Sequence, residues 1–168
     1  AVYTGGRLYR GRAGSAGEFG GLVTHPEAVD PARQGTGSYE RYASTSALVA
    51  RVTALYPALT TGRDIFAHLN DPTIKKEVDA WIREVACGII SLIHAFDPAL
   101  VVLGGGIMGE PYILGQLERM TAPMVKPSFR GCRVVPAALG NNAGLMGAGY
   151  LAANNGSGWH PPRSGRTV

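Results

Sequence analysis

Apolar residues change their spacing several times along the chain, and each change marks an element. The strongest pattern lies at 72–96. There Ile74, Val78, Trp81, Ile82, Val85, Ile89, Leu92, Ile93 and Phe96 recur at intervals of mostly three and four, the period of a helix with one apolar face. Asp71 is a candidate N-cap and Pro72 suits the first helical position. After Val85 the sequence becomes nearly all-apolar, which predicts a C-terminal half buried on most sides. Asp97-Pro98 breaks the helix. Leu100 to Leu103 is then a continuous apolar run, the pattern of a strand buried on both faces. It ends in Gly104-Gly105-Gly106, and a second helical period opens at Pro111 and runs to Val125.

Shorter patterns complete the order. Val2-Tyr3 and Leu8-Tyr9 flank Gly5-Gly6 and predict a hairpin over 1–10. Leu22-Val23-Thr24 predicts a short strand, and 25–39, with Pro26, Pro31, Gly35 and Gly37, a loop. A helix is predicted from Ser38 to Pro57, weakly interrupted at Ser44 and Ser46, with a short one at 64–69. Arg133-Val134-Val135 predicts a strand. Ala143 to Ala153 predicts a small-residue helix whose Gly144, Gly147 and Gly149 allow tight packing. Residues 154–168 lack periodicity and are expected to be a disordered tail. Alternating helix and strand is an α/β order.

Composition changes this picture in one respect. The 24 glycines are about twice the usual share, and they cluster at turns rather than forming a linker. A net charge of +4 without a basic, aromatic-interleaved run gives no reason to invoke nucleic acid. No run reaches membrane-spanning length and no signal peptide is visible, so a cytoplasmic protein is expected. Cys87 and Cys132 stand alone in apolar surroundings and read as small core thiols rather than metal ligands. The four histidines have no metal-site spacing with them, and His94 reads as a satisfied core histidine.

Gly104 to Gly109 spells G-x-G-x-x-G. A dinucleotide site needs an acid about 20 residues later, but Glu118 is the last acid in the chain. A P-loop needs Lys-Ser/Thr after the glycines, where Glu110-Pro111 stands. Two readings stay open: a tight strand-to-helix turn, or a turn approached by an adenine or ribose while the phosphates are held elsewhere. Glu18, in the loop 10–21, and Glu40 each lie beside turn sequence. Carboxylates accept the hydroxyl donors that sugars present. Equally, Glu18 reads as a solvated loop acid and Glu40 as an acid favoured in a helix's first turn.

Taken together, five segments resemble the ROK family of bacterial repressors and sugar kinases, from the first residues to Ala153. Gly6 to Gly11 is similar to that family's hairpin, Ala16-Gly17-Glu18-Phe19-Gly20 to its sugar-binding loop, and Glu40-Arg41-Tyr42-Ala43-Ser44 to its second sugar-contacting segment. Asp97 to Gly106 resembles its strand and adenosine-contacting turn, and Leu139 to Ala148 its closing helix. The resemblance implies an actin-like ATPase (ribonuclease H-like) fold, mainly its carboxy-terminal lobe over 1–153. It implies phosphorylation of a hexose or N-acetylhexosamine by ATP and Mg²⁺, usually at the 6-hydroxyl. Glu18 and Glu40 would hold the sugar. Gly104, Gly105 and Gly106 would line the adenosine pocket. A homodimer is expected, and nucleic acid is a partner only if the protein is a sugar-responsive repressor of this family.

Two departures qualify the resemblance. The family usually has a histidine at the position of Gly21 and a cysteine knuckle before Glu40, which together bind zinc. Residues 25–39 contain no cysteine, so no zinc is expected. The family's catalytic Asp and phosphate loops also lie upstream of Ala1, and none of Asp30, Asp64, Asp71, Asp79 or Asp97 matches that base. The piece alone is therefore expected to be inactive. A separate, non-catalytic reading is a truncated lobe that only folds and dimerises, with helix 72–96 leaving an apolar patch exposed when its partner lobe is absent.

Overall fold

A computed structural model describes residues 1–153; the tail expected at 154–168 lies outside the described residues. Strands β1 (Val2–Thr4) and β2 (Arg7–Tyr9) pair antiparallel, with Val2 opposite Tyr9. Gly5 and Gly6 both take positive φ (56° and 75°), as a two-residue hairpin turn with the twist of its strands requires. The loop that follows includes 3₁₀ turns at Phe19–Gly21 and Pro26–Ala28. The strand predicted at Leu22 to Thr24 reduces to a single bridge, Val23 to Ser38. The segment has no second strand to pair with along its length.

The helix predicted from Ser38 onward is two helices, α1 (Tyr39–Ala43) and α2 (Thr45–Thr53). Ser44 separates them in an extended conformation (φ −74°, ψ 157°), and its side chain accepts from the Ala47 amide as the N-cap of α2. Helix α3 (Gly62–Ala67) is capped by Thr61. Helix α4 (Pro72–Phe96) begins as predicted, with the Asp71 carboxylate accepting from the Thr73 and Ile74 amides. It ends at Asp97, which sits in the left-handed region (φ 44°).

Helix α4 is the spine of the core. Its Ile74, Val78, Trp81, Ile82, Val85, Ile89 and Ile93 are buried against Leu48 and Val52 of α2, Ile65 and Phe66 of α3, and Ile113 and Leu117 of α5 (Pro111–Met124). Burial follows one broad face to the end of α4. Cys87, Ser91 and Ala95 face out and Phe96 is half-exposed, so the C-terminal half is not enclosed on most sides. The exposed apolar patch is consequently not on α4.

Strand β3 (Leu100–Leu103) pairs parallel with β4 (Arg133–Pro136) through α5, a βαβ unit. Only Val101 and Leu103 face the core; Leu100 and Val102 are 40% and 56% exposed. The expectation of burial on both faces fails because a two-stranded sheet has helices on one side only. Helix α6 (Ala143–Ala153) has no buried residue, and Gly144, Gly147 and Gly149 face open space. The tight packing expected of it is absent within the described residues. Cys87 is exposed and Cys132 half-buried, so neither is a core thiol. His94 is half-buried and satisfied, with Nδ1 on the Ile90 carbonyl and Nε2 accepting from the Lys126 amide. No helix among the described residues is long and apolar enough to cross a membrane.

Candidate functional site

The loop carrying Glu18 is shaped by glycines in conformations closed to other residues. Gly11, Gly14 and Gly17 have φ of 64°, 81° and 90°. The Ala16 amide closes the loop onto the Arg10 carbonyl at 3.1 Å. Glu18 precedes the 3₁₀ turn, and its carbonyl accepts from the Gly21 amide at 3.2 Å. Glu40 lies in the first turn of α1.

The two segments meet. The Tyr39 amide donates to the Leu22 carbonyl at 2.7 Å. The Glu40 carboxylate lies over Gly20, so closely that a Cβ there would stand 2.8 Å from Oε2. Gly20 is two residues from Glu18. Both carboxylates are exposed, and among the described residues neither makes a hydrogen bond or ion pair. Carboxylates at these two positions can accept from hydroxyl donors.

Glu40 is held from behind. The Tyr39 ring crosses Gly88 of α4 so tightly that a Cβ would stand 2.2 Å from Cζ, and its hydroxyl donates to the Val85 carbonyl at 2.9 Å. The indole of Trp81 donates to the Ser44 carbonyl at 2.9 Å. Burial pushes the Tyr39 hydroxyl pKa up to about 12, with Cys87 and Glu84 adding to the shift. The loop 25–38 closes on itself. The Thr24 and His25 amides donate to the Gly37 carbonyl, the Thr36 hydroxyl accepts from the Asp30 amide, and the Ser38 hydroxyl donates to the Gly35 carbonyl. Among the described residues no group of three or more His, Cys, Asp or Glu side chains could hold a metal ion.

The glycines after β3 form the second cluster. Gly105 has φ 117°, and a Cβ on Gly106 would stand 3.2 Å from Nδ2 of Asn141. Gly104, Gly105, Gly106 and Gly109 line one side of a hollow of about 120 Å³; Ala137, Gly140 and Asn141, after β4, line the other. Both turns thus follow the carboxyl ends of adjacent parallel strands, where open α/β sheets bind ligands. A larger cavity of about 740 Å³ between α5 and β4 contains none of these residues.

The five Asp residues weighed as a base are otherwise engaged or placed. Asp71 caps α4, and the Ile74 amide, first of several donors, holds its carboxyl below the ordinary value. Asp79 binds Lys75 and Tyr112. Asp64 accepts from the Thr61 hydroxyl, Asp30 from the Ala32 amide, and Asp97 ends α4. Sequence reasoning missed the supports: Tyr39 against Gly88, and Asn141 against Gly106. An isolated Gly inside the strongest helical period was the one available signal for the first.

The sequence model of the ROK family matches residues 1–155. The beta-glucoside kinase of Listeria innocua serovar 6a is 31% identical over 159 residues, covering 89% of this chain and 51% of that protein. The glucokinase of Streptomyces coelicolor is 29% identical, covering 90% and 55%. A ROK family glucokinase from Streptomyces griseus, solved in complex with glucose and AMPPNP, is 28% identical with a TM-score of 0.74, covering 88% and 54%. The chain spans about half the length of the relatives it matches.

Proposed function

The chain belongs to the ROK family, and on that premise we propose that it is the sugar- and adenosine-contacting part of an ATP-dependent sugar kinase with the actin-like ATPase fold. The observation that carries this reading is the meeting of the Glu18 loop and α1, with the Glu40 carboxylate laid over Gly20. The substrate is a hexose or N-acetylhexosamine, phosphorylated at its 6-hydroxyl. A glucokinase and a beta-glucoside kinase among the relatives support a sugar of that class.

Glu18 and Glu40 accept hydrogen bonds from sugar hydroxyls and so fix which hydroxyl is presented for transfer. Their exposure leaves them hydrated before the sugar arrives, and the sugar's hydroxyls replace that water. The glycine turns after β3 and β4 suit the adenosine half of ATP, because the hollow is lined by backbone and a Cβ on Gly106 would crowd Asn141. ATP supplies the transferred phosphoryl group and Mg²⁺ neutralises its charge. Proton removal from the attacking hydroxyl needs a carboxylate close to it. The Asp residues here are placed for structural work, so we assign the base to the part of the relatives' length that this chain does not span. Zinc has no part in this reading. The loop before Glu40 is closed by its own hydrogen bonds.

The test is a phosphorylation screen of the full-length protein with ATP and glucose, N-acetylmannosamine, N-acetylglucosamine, fructose and β-glucosides. One sugar should be phosphorylated. Glu18→Gln and Glu40→Gln should each raise its KM about tenfold or more, since a hydrogen bond to a charged acceptor is worth about 1.5–3 kcal/mol. An unchanged KM in both variants sinks the assignment. Sugar-dependent DNA binding with no phosphorylation would instead indicate the repressor branch of the family.

A further inference from the structure

Helix α1 holds Glu40 but cannot orient itself. It has five residues, little more than one turn, and such a helix does not repay its own nucleation. Its N-cap residue Ser38 makes no side-chain cap, and its hydroxyl donates instead to the Gly35 carbonyl. Its orientation must come from contacts. Tyr39 is pinned at one end by Val85 and Gly88, and the Ser44 carbonyl at the other by Trp81. The Tyr39 amide on the Leu22 carbonyl adds a pin at the first end, and none of these contacts holds the middle of the helix.

A contact at Tyr42 holds that middle stretch. The His25 ring is stacked on Tyr42, with centroids 3.5 Å apart and planes within 14°. His25 is itself fixed. Its Nδ1 lies 3.1 Å from the Thr24 hydroxyl and its Nε2 3.6 Å from the Glu84 carboxylate of α4. Its carbonyl accepts from the Ala28 amide, and Gly37 (φ 70°) approaches so closely that a Cβ would stand 2.5 Å from that oxygen. Tyr42 is two residues after Glu40, which places the two side chains about 200° apart around the helix. Fixing Tyr42 on the His25 side therefore turns Glu40 to the opposite side, toward Gly20.

Resting on the sugar-site reading above, we propose that His25 is a positioning residue for Glu40. Stacked on Tyr42 and tied to α4 through Glu84, it sets how α1 is turned and so where the Glu40 carboxylate stands. The side-chain anchors at Tyr39, Tyr42 and Ser44 converge on one stretch of α4, from Trp81 to Gly88.

The test uses the full-length protein with the sugar that ranks first in the screen of glucose, N-acetylmannosamine, N-acetylglucosamine, fructose and β-glucosides. His25→Ala should raise the sugar KM about threefold to tenfold, the range of a lost aromatic stack, and leave the ATP KM unchanged. Amide hydrogen exchange at 40–44 should quicken while that of α4 does not. His25→Phe, which keeps a flat ring over Tyr42 but not the contact with Glu84, should recover part of each. A sugar KM unmoved by His25→Ala, an ATP KM rising in step, or no rescue by His25→Phe overturns the proposal. If His25→Ala does not fold, Glu84→Gln carries the test: exchange at 40–44 and the sugar KM rise together, or the proposal fails. Glu40→Gln is run alongside. If it too leaves the sugar KM unchanged, the reading of Glu40 as a sugar contact has failed. If it raises KM and His25→Ala does not, only the positioning role has.

Discussion

The hydroxyl of Tyr39 lies against α4, and the alkaline stability of the fold depends on that position. A tyrosine in the unfolded chain releases its proton near 10; folded, this one holds it to about 12, chiefly through burial. Between those values the folded state binds more protons, so stability falls as pH rises across that window and the contribution is fully present below it. The whole shift amounts to about 3 kcal/mol at most. Tyr39→Phe cannot ionise there, and it loses a hydrogen bond to Val85 worth about 1 kcal/mol. Its deficit against the parent chain should therefore shrink as the pH is raised from below 10 toward 12, read as urea midpoints. A deficit constant with pH contradicts the burial account. This residue was not legible in the sequence, because nothing local distinguishes it from any tyrosine at a helix start. Its environment is made by Gly88, 49 positions away, and by the path of the loop between.

At the scale of elements, what was legible is what the chain decides locally. The start of α4 follows from Asp71 and Pro72, whose capping and fixed φ act within one turn. The hairpin follows from Gly5-Gly6. The split between α1 and α2 was half-legible: Ser44 was seen as an interruption, but its hydroxyl capping a new helix makes it a boundary. Burial of β3 and α6 was misjudged because an apolar run states a need for cover and not its source. The glycine turn after β3 yields its own test. Gly105, at φ 117°, occupies a region that costs other residues about 1–3 kcal/mol. Gly105→Ala should thus distort the turn and raise the ATP KM severalfold, with the sugar KM unchanged. Steady-state rates with ATP varied at saturating sugar would check it, and a rise confined to the sugar KM would contradict the assignment.

At the scale of the molecule, the described residues form a sound core with a large uncovered apolar area. Leu145, Met146, Tyr150 and Leu151 of α6 are 56–77% exposed, and Tyr3 and Tyr9 of the hairpin 74% and 54%. Together with Leu100 and Val102 they exceed what isolated surface residues would explain. The chain spans about half the length of its relatives. Residues 1–168 produced alone should therefore self-associate. Light scattering should give an apparent mass that climbs with concentration, whereas a constant monomer mass would show that these faces are tolerated in water. The candidate site was legible as separate acids and glycines; that the loop carrying Glu18 meets α1 was implied only by the family resemblance, since spacing carries no such information.

Helix α4 also limits which lengths evolution can vary. From Val85, which anchors Tyr39, to Asp97, which leads into β3, the chain is uninterrupted helix. Each inserted or deleted residue there would turn everything downstream by about 100° and shift it by about 1.5 Å, against a fixed anchor. The loop 26–36 leaves and returns at one place, where the His25 amide meets the Gly37 carbonyl, so a length change within it should move neither cluster. Descendants of this sequence should accumulate gaps freely in that loop and almost none between 85 and 97, so that the spacing between the acids' anchor and the glycine turn acts as an inherited ruler.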